Sequence, residues 1–131
     1  MKPERLIGKI MRNDLLKQFR FLTDAGAVFS EEGDDASYRI FRFAVADLRI
    51  AVSCDYRREF VNLCVKRHTE VLLETAGNRA VINAFSTGAA DFVDKLKQIY
   101  AQPRKGYSLS KRQMRQLIRL YAEYLASVLF F

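Results

Sequence analysis

The residues that usually carry catalysis and metal chemistry are scarce in this chain. Its 131 residues include one histidine (His68), two cysteines (Cys54 and Cys64), two prolines and no tryptophan. The cysteines form no CxxC pair, and one histidine leaves a four-ligand Cys/His zinc set short of members. No metal and no cofactor is therefore expected. A Cys-His nucleophile would depend on His68 alone, and spacing gives His68 no dyad with Asp55, Glu59 or Glu70. The six glycines are scattered, so no phosphate-cradling loop is present. Long apolar runs are missing too. The best stretch, Leu117–Phe131, carries Arg119, Glu123 and Ser127, whereas a membrane-spanning helix needs about 20 largely apolar residues. Met1–Arg20 is broken by charges every few residues and has no secretory h-region, so a cytoplasmic, reducing setting is expected.

What the chain does have is charge separated along its length. From Asp24 to Asp35 there are five acids and no base; from Lys95 to Arg119 there are eight bases and no acid. The formal net charge is +7. A field with two poles steers and orients a charged partner. Half the residues are hydrophobic, and a chain of this length buries roughly two thirds of its unfolded surface, enough for one domain without a disulfide.

The expected fold is α+β, with an antiparallel meander of three to four strands and one N-terminal and two C-terminal helices on one face. Leu15, Leu16, Phe19 and Leu22 make the stripe of a first helix, Pro3 to Thr23, which Gly26 stops. A break near Gly8–Asn13 stays open, because Asn13-Asp14 has capping chemistry. An acidic loop, Ser30–Ser37, follows a short strand at Ala27–Phe29. The span Tyr38–Arg67 then alternates apolar and polar residues as three strands. A two-residue turn at Ala46-Asp47 pairs Val45 with Leu48, Phe43 with Ile50 and Phe41 with Val52. One at Tyr56-Arg57 pairs Val52 with Val61, Ile50 with Leu63 and Leu48 with Val65, although the residues there also fit a longer loop. Both registers keep the apolar residues on one face and leave Cys54 and Cys64 as free thiols. Thr69–Thr75 reads as a fourth strand with Val71 and Leu73 inward, followed by a loop; a helix through Phe85 is the alternative. Helices follow at Thr87–Gln102 (stripe Phe92, Leu96, Ile99) and from Ser110. Ser110 and Gln113 have capping-box spacing, and Met114, Leu117, Tyr121, Tyr124, Leu125 and Val128 form the buried face.

Three features are candidates for function. Arg104, Lys105, Lys111, Arg112, Arg115 and Arg119 form a basic run that suits an acidic protein or a phosphate backbone, as well as a plain solvated helix face. Glu31, Glu32, Asp34 and Asp35 suit a basic partner. The outer sheet face gathers Arg42, Arg49 and Lys66 with Tyr38, Ile40 and Phe60, but lacks the aromatic signature of RNA-binding sheets. The apolar end Val128–Phe131 either closes the core or meets a partner, such as a second copy of the chain.

The segment Leu15–Arg67 resembles a family of small bacterial proteins. The resemblance rests on a helix ending Phe19-Arg20-Phe21-Leu22, the acidic loop, Tyr38 at a strand start, Asp47 to Arg57, and the strand Phe60–Val65. Some members resemble immunity proteins that neutralise toxins delivered between bacteria. The resemblance implies a small partner or inhibitor of another protein and carries no catalytic residue over to this chain. With the charge poles and the lack of a catalytic constellation, the leading expectation is a non-enzymatic protein-binding domain. The second reading is a nucleic-acid-binding protein that uses the basic C-terminal helix.

Overall fold

The computed structural model describes residues 12–34, 37–55, 60–76, 79–83, 85, 88–101 and 109–129. In chain order these form α1 (residues 12–18), α2 (Arg20–Asp24), β1 (Val28–Asp34), β2 (Tyr38–Val45), β3 (Leu48–Asp55), β4 (Phe60–Arg67), β5 (Glu70–Ala76), β6 (Arg79–Ile82), α3 (Ala89–Ala101) and α4 (Lys111–Leu129). The class is α+β. The described sheet has six antiparallel strands in sequential order, more than the three or four expected.

The N-terminal helical segment bends at Phe19, where the Leu22 amide reaches back three residues to the Phe19 carbonyl (2.9 Å). Leu15, Phe19 and Leu22 are fully buried, and the Phe19 ring stacks on Phe43 of β2 at 5.5 Å. Gly26 ends α2 at φ +94, with its amide on Thr23 O and the Ala27 amide on Leu22 O. That pair of bonds is a Schellman stop, which favours glycine at the left-handed position. The proposed break near Gly8–Asn13 lies largely outside the described residues.

The acidic segment expected as a loop is mostly strand: Ser30–Asp34 pair with Tyr38–Arg42. As the first strand, β1 is an edge, where charged side chains oppose unwanted strand addition. The β2–β3 hairpin has the expected register throughout, with Val45 opposite Leu48 and Phe41 opposite Val52. Its turn puts Ala46 at φ +51. The second register differs from expectation by two residues: Val52 faces Leu63, Ile50 faces Val65 and Leu48 faces Arg67. Asp55 pairs with Phe60, so four residues rather than two separate the strands; the expected turn at Tyr56-Arg57 lies outside the described residues. A slip of two keeps every side chain on its expected face. His68 sits exposed in the β4–β5 turn at φ +56, at the end of its strand as expected.

β5 confirms the fourth strand and the inward Leu73 but corrects the face of Val71. The register shifts between Val65 and Lys66, placing Val71 opposite Lys66 and Leu73 opposite Val65. Leu72 and Leu73 are fully buried, whereas Val71 is only half-buried. β6 replaces part of the loop expected after it and pairs Leu73 with Ile82.

All the helices cover one side of the sheet. α2 lies against β2 and α4 against β4, while α3 packs on α4 and β6. The capping box of α4 is complete: Gln113 N–H donates to Ser110 Oγ (3.1 Å) and Ser110 N–H to Gln113 Oε1 (2.8 Å). Gln113 Nε2 also donates to Ile99 O (3.1 Å), satisfying a carbonyl in the last turn of α3. Phe92 stacks on Tyr124 at 4.2 Å, joining α3 to α4. Of the expected α4 face, Met114, Leu117, Tyr121, Tyr124 and Leu125 are buried and Val128 is partly so; Ile118, Leu120 and Ala122 are buried as well.

Candidate functional site

A polar knot crosses the covered side. Tyr121 Oη donates to Val61 O (3.0 Å), and Tyr100 Oη donates to the same carbonyl (3.2 Å). Thr75 Oγ1 accepts from Leu63 N–H (2.8 Å) and lies 3.2 Å from Tyr121 Oη. Burial pushes the Tyr121 hydroxyl well above its ordinary value and Tyr100 up to about 12. Burial likewise raises Cys54 to about 12, while Cys54 and Cys64 are both free thiols. Thr75, Tyr100 and Tyr121 face a packed interior and tie α3 and α4 to β4 and β5.

The acids expected to form one pole do not act together. Successive strand residues point to opposite faces. Glu31 faces the helices and pairs with Arg12 (2.8 Å) and Arg39 (3.7 Å). Glu32 faces the open side and pairs with Arg42. Asp34 accepts from Ser37 N–H. Asp35 lies outside the described residues. The expected acidic contact patch is thus split between two faces, with Glu31 and Glu32 held by arginines of the same molecule.

On α4 the spacing does bring bases together. Arg112, Arg115 and Arg119 share a stripe with Gln116, next to Asp14 and Gln18 of the first helix, around a shallow depression of about 410 Å³. Arg115 pairs with Asp14 (3.4 Å) and Arg119 with Glu123 (3.1 Å). Arg112 is exposed and has no carboxylate partner among the described residues. The Gln116 Oε1 atom at this stripe is buried with no hydrogen-bond partner among the described residues. Arg104, Lys105 and the Lys111 side chain lie outside the described residues.

The open side of the sheet forms a grid. Its first row, across the strands from β1, is Val28, Ala44, Arg49, Lys66 and Val71. The second is Ser30, Arg42, Ala51, Cys64, Glu74 and Val81. The third is Glu32, Ile40, Ser53 and Asn62, and the fourth is Asp34, Tyr38, Asp55 and Phe60. The bases expected on this face are there, in the first two rows; the aromatics are at the other end. Around Ala44 and Ala51 lies a depression of about 470 Å³ walled by Val28, Arg42, Arg49, Cys64 and Lys66. Sequence reasoning found the three bases but missed this depression. It also missed that Arg49 lies directly opposite Lys66, which follows from the corrected register.

Among the described residues, no three His, Cys, Asp or Glu side chains cluster as a metal site, and no helix is long and apolar enough to cross a membrane. Compared with known proteins, the chain matches no family model, no curated protein and no solved structure.

Proposed function

We propose that this chain is a non-enzymatic protein-binding domain that docks an acidic partner on the α4 arginine stripe and inhibits it by occlusion. The immunity-protein-like role implied by the segment Leu15–Arg67 belongs to this reading. The observation that carries it is the state of the charges. Glu31 is largely covered and engaged by Arg12 and Arg39, while Glu32 lies on the opposite face beside Arg42, so the two present no single contact patch to a basic partner. Arg112, Arg115 and Arg119 instead line one depression: Arg112 has no carboxylate partner among the described residues, Arg119 holds a solvent-exposed pair with Glu123, and Arg115 pairs with the mostly covered Asp14. The exposed Arg119–Glu123 pair contributes about 0–1 kcal/mol, so a carboxylate of a partner exchanges with Glu123 at small cost. The planar guanidinium suits bidentate carboxylate recognition.

The test is affinity capture of the tagged protein with and without nuclease. This reading expects a protein at stoichiometric yield that survives nuclease treatment. Bound material that disappears with nuclease, with a steep fall of binding as salt rises, would instead give the basic helix a nucleic-acid role.

A further inference from the structure

We infer that the open face of the sheet holds a second site, independent of the α4 stripe, for an amphipathic carboxylate of the medium-chain fatty acid type. Its charged end is set by Arg49 and Lys66. These residues lie directly opposite each other on the two central strands. Like charges in that position are destabilising unless something neutralises them. Neither has a carboxylate partner among the described residues; the nearby Asp47 is taken by Arg67 at 3.2 Å. Arg49 Nη1 is held at the β2–β3 turn by Ala46 O (3.0 Å) and Leu48 O (2.9 Å), which fixes the guanidinium at the edge of the depression. Arg42, in the next row, also lines the depression, paired with Glu32 of β1.

The other end of the site is apolar. Continuing the same row toward β1 leads from Arg49 to Ala44 and then to Val28, which is 69% exposed. Ala51 and Ala44 are the small side chains that leave the floor open. Four strands span about 14 Å, close to the length of a ten-carbon chain lying across them. Among the described residues no aromatic side chain on the open face stands over this floor: Tyr38, the nearest along β2 on this face, is four residues or about 13 Å from Arg42. An aliphatic tail therefore fits better than a stacked base. A group bound here covers Cys64, the half-buried thiol in the wall.

Submicellar decanoate is the probe, titrated into the isotopically labelled full chain and followed by amide chemical shifts. The expected result is saturable shifts at Ala44, Arg49, Ala51, Cys64 and Lys66, with acetate causing far weaker ones because it lacks the tail. Two variants read the two ends. Ala51→Leu fills the floor from the solvent side, and Lys66→Glu places an acid opposite Arg49. Each is expected to weaken decanoate by about tenfold or more, the loss expected for one charge-assisted contact or one blocked floor. Lys66→Glu should also keep or raise the melting temperature, since it replaces a repulsion by a cross-strand pair. The proposal is overturned if decanoate shifts no open-face amide, if acetate matches it, or if Lys66→Glu, folded by its spectrum, binds decanoate as the native chain does.

Discussion

The two faces of the sheet handle polar groups in opposite ways. On the covered face Thr75, Tyr100 and Tyr121 converge on the backbone of Val61 and Leu63 within hydrogen-bond distance. On the open face Arg49 and Lys66 stand opposite each other with no carboxylate partner among the described residues. A buried polar group without a partner is costly, so the covered face satisfies its members. Water tolerates an exposed like-charge pair at a small cost. One face stores stability, and the other carries the available charge.

The sharpest contrast comes from substitutions of opposite size on the two faces. Leu63→Ala empties a fully buried position and is expected to cost about 2–5 kcal/mol in denaturant unfolding. Ala51→Leu, on the open face of the neighbouring strand, is expected to stay within about 0.5 kcal/mol. Comparable losses would erase the distinction. Tyr121→Phe keeps the ring and removes only the hydroxyl from the knot. It is expected to cost about 1–3 kcal/mol, leaving Val61 O with Tyr100 and removing the Tyr121 hydroxyl contact from Thr75.

The covered face also sets the response to alkali. Cys54 is raised from 9.0 to about 12, and Tyr100 from 10.0 to about 12, in both cases chiefly by burial. Tyr121 moves in the same direction. These acids stay protonated in the folded chain while the unfolded chain releases its protons. Stability is therefore full below about pH 9 and falls as pH rises from 9 toward 12. Unfolding midpoints measured across that range check the sign, and Cys54→Ala should lessen the fall. The smallest effect belongs to the open face: Lys66→Glu is expected to add about 0.5 kcal/mol by giving Arg49 an opposite charge. A loss there would mean that Lys66 is already compensated.

Local rules written in the sequence were realised where a few adjacent residues decide the geometry. Gly26 makes the predicted helix stop, Ser110 and Gln113 make the predicted cap, and the Ala46-Asp47 turn fixes a whole hairpin. What escaped was anything that a period of two cannot sense. Moving β4 by two residues preserves the inside-outside pattern, so alternation alone could not put Lys66 opposite Arg49. The shift between Val65 and Lys66 turned Val71 outward for a similar reason: one extra residue in a strand reverses the faces beyond it. β6 was missed because it is a short edge strand, in which Val81 is exposed and Ala80 and Ile82 are only half-buried.

The charge runs teach a related lesson. Five acids in twelve residues look like a pole, but the strand sends Glu31 and Glu32 to different faces, where Arg12, Arg39 and Arg42 meet them. The basic run keeps its cluster because helical spacing puts Arg112, Arg115 and Arg119 on one stripe. The open-face bases come from β2, β3 and β4, so no run in the sequence announces them.

The most direct test of the account is capture, after nuclease treatment, by three forms of the tagged protein: native, Arg112→Glu/Arg115→Glu/Arg119→Glu, and Arg49→Glu/Lys66→Glu. The account predicts one stoichiometric protein with the native form, the same protein with the open-face variant, and none with the folded α4 variant. Undiminished capture by the folded α4 variant would contradict it.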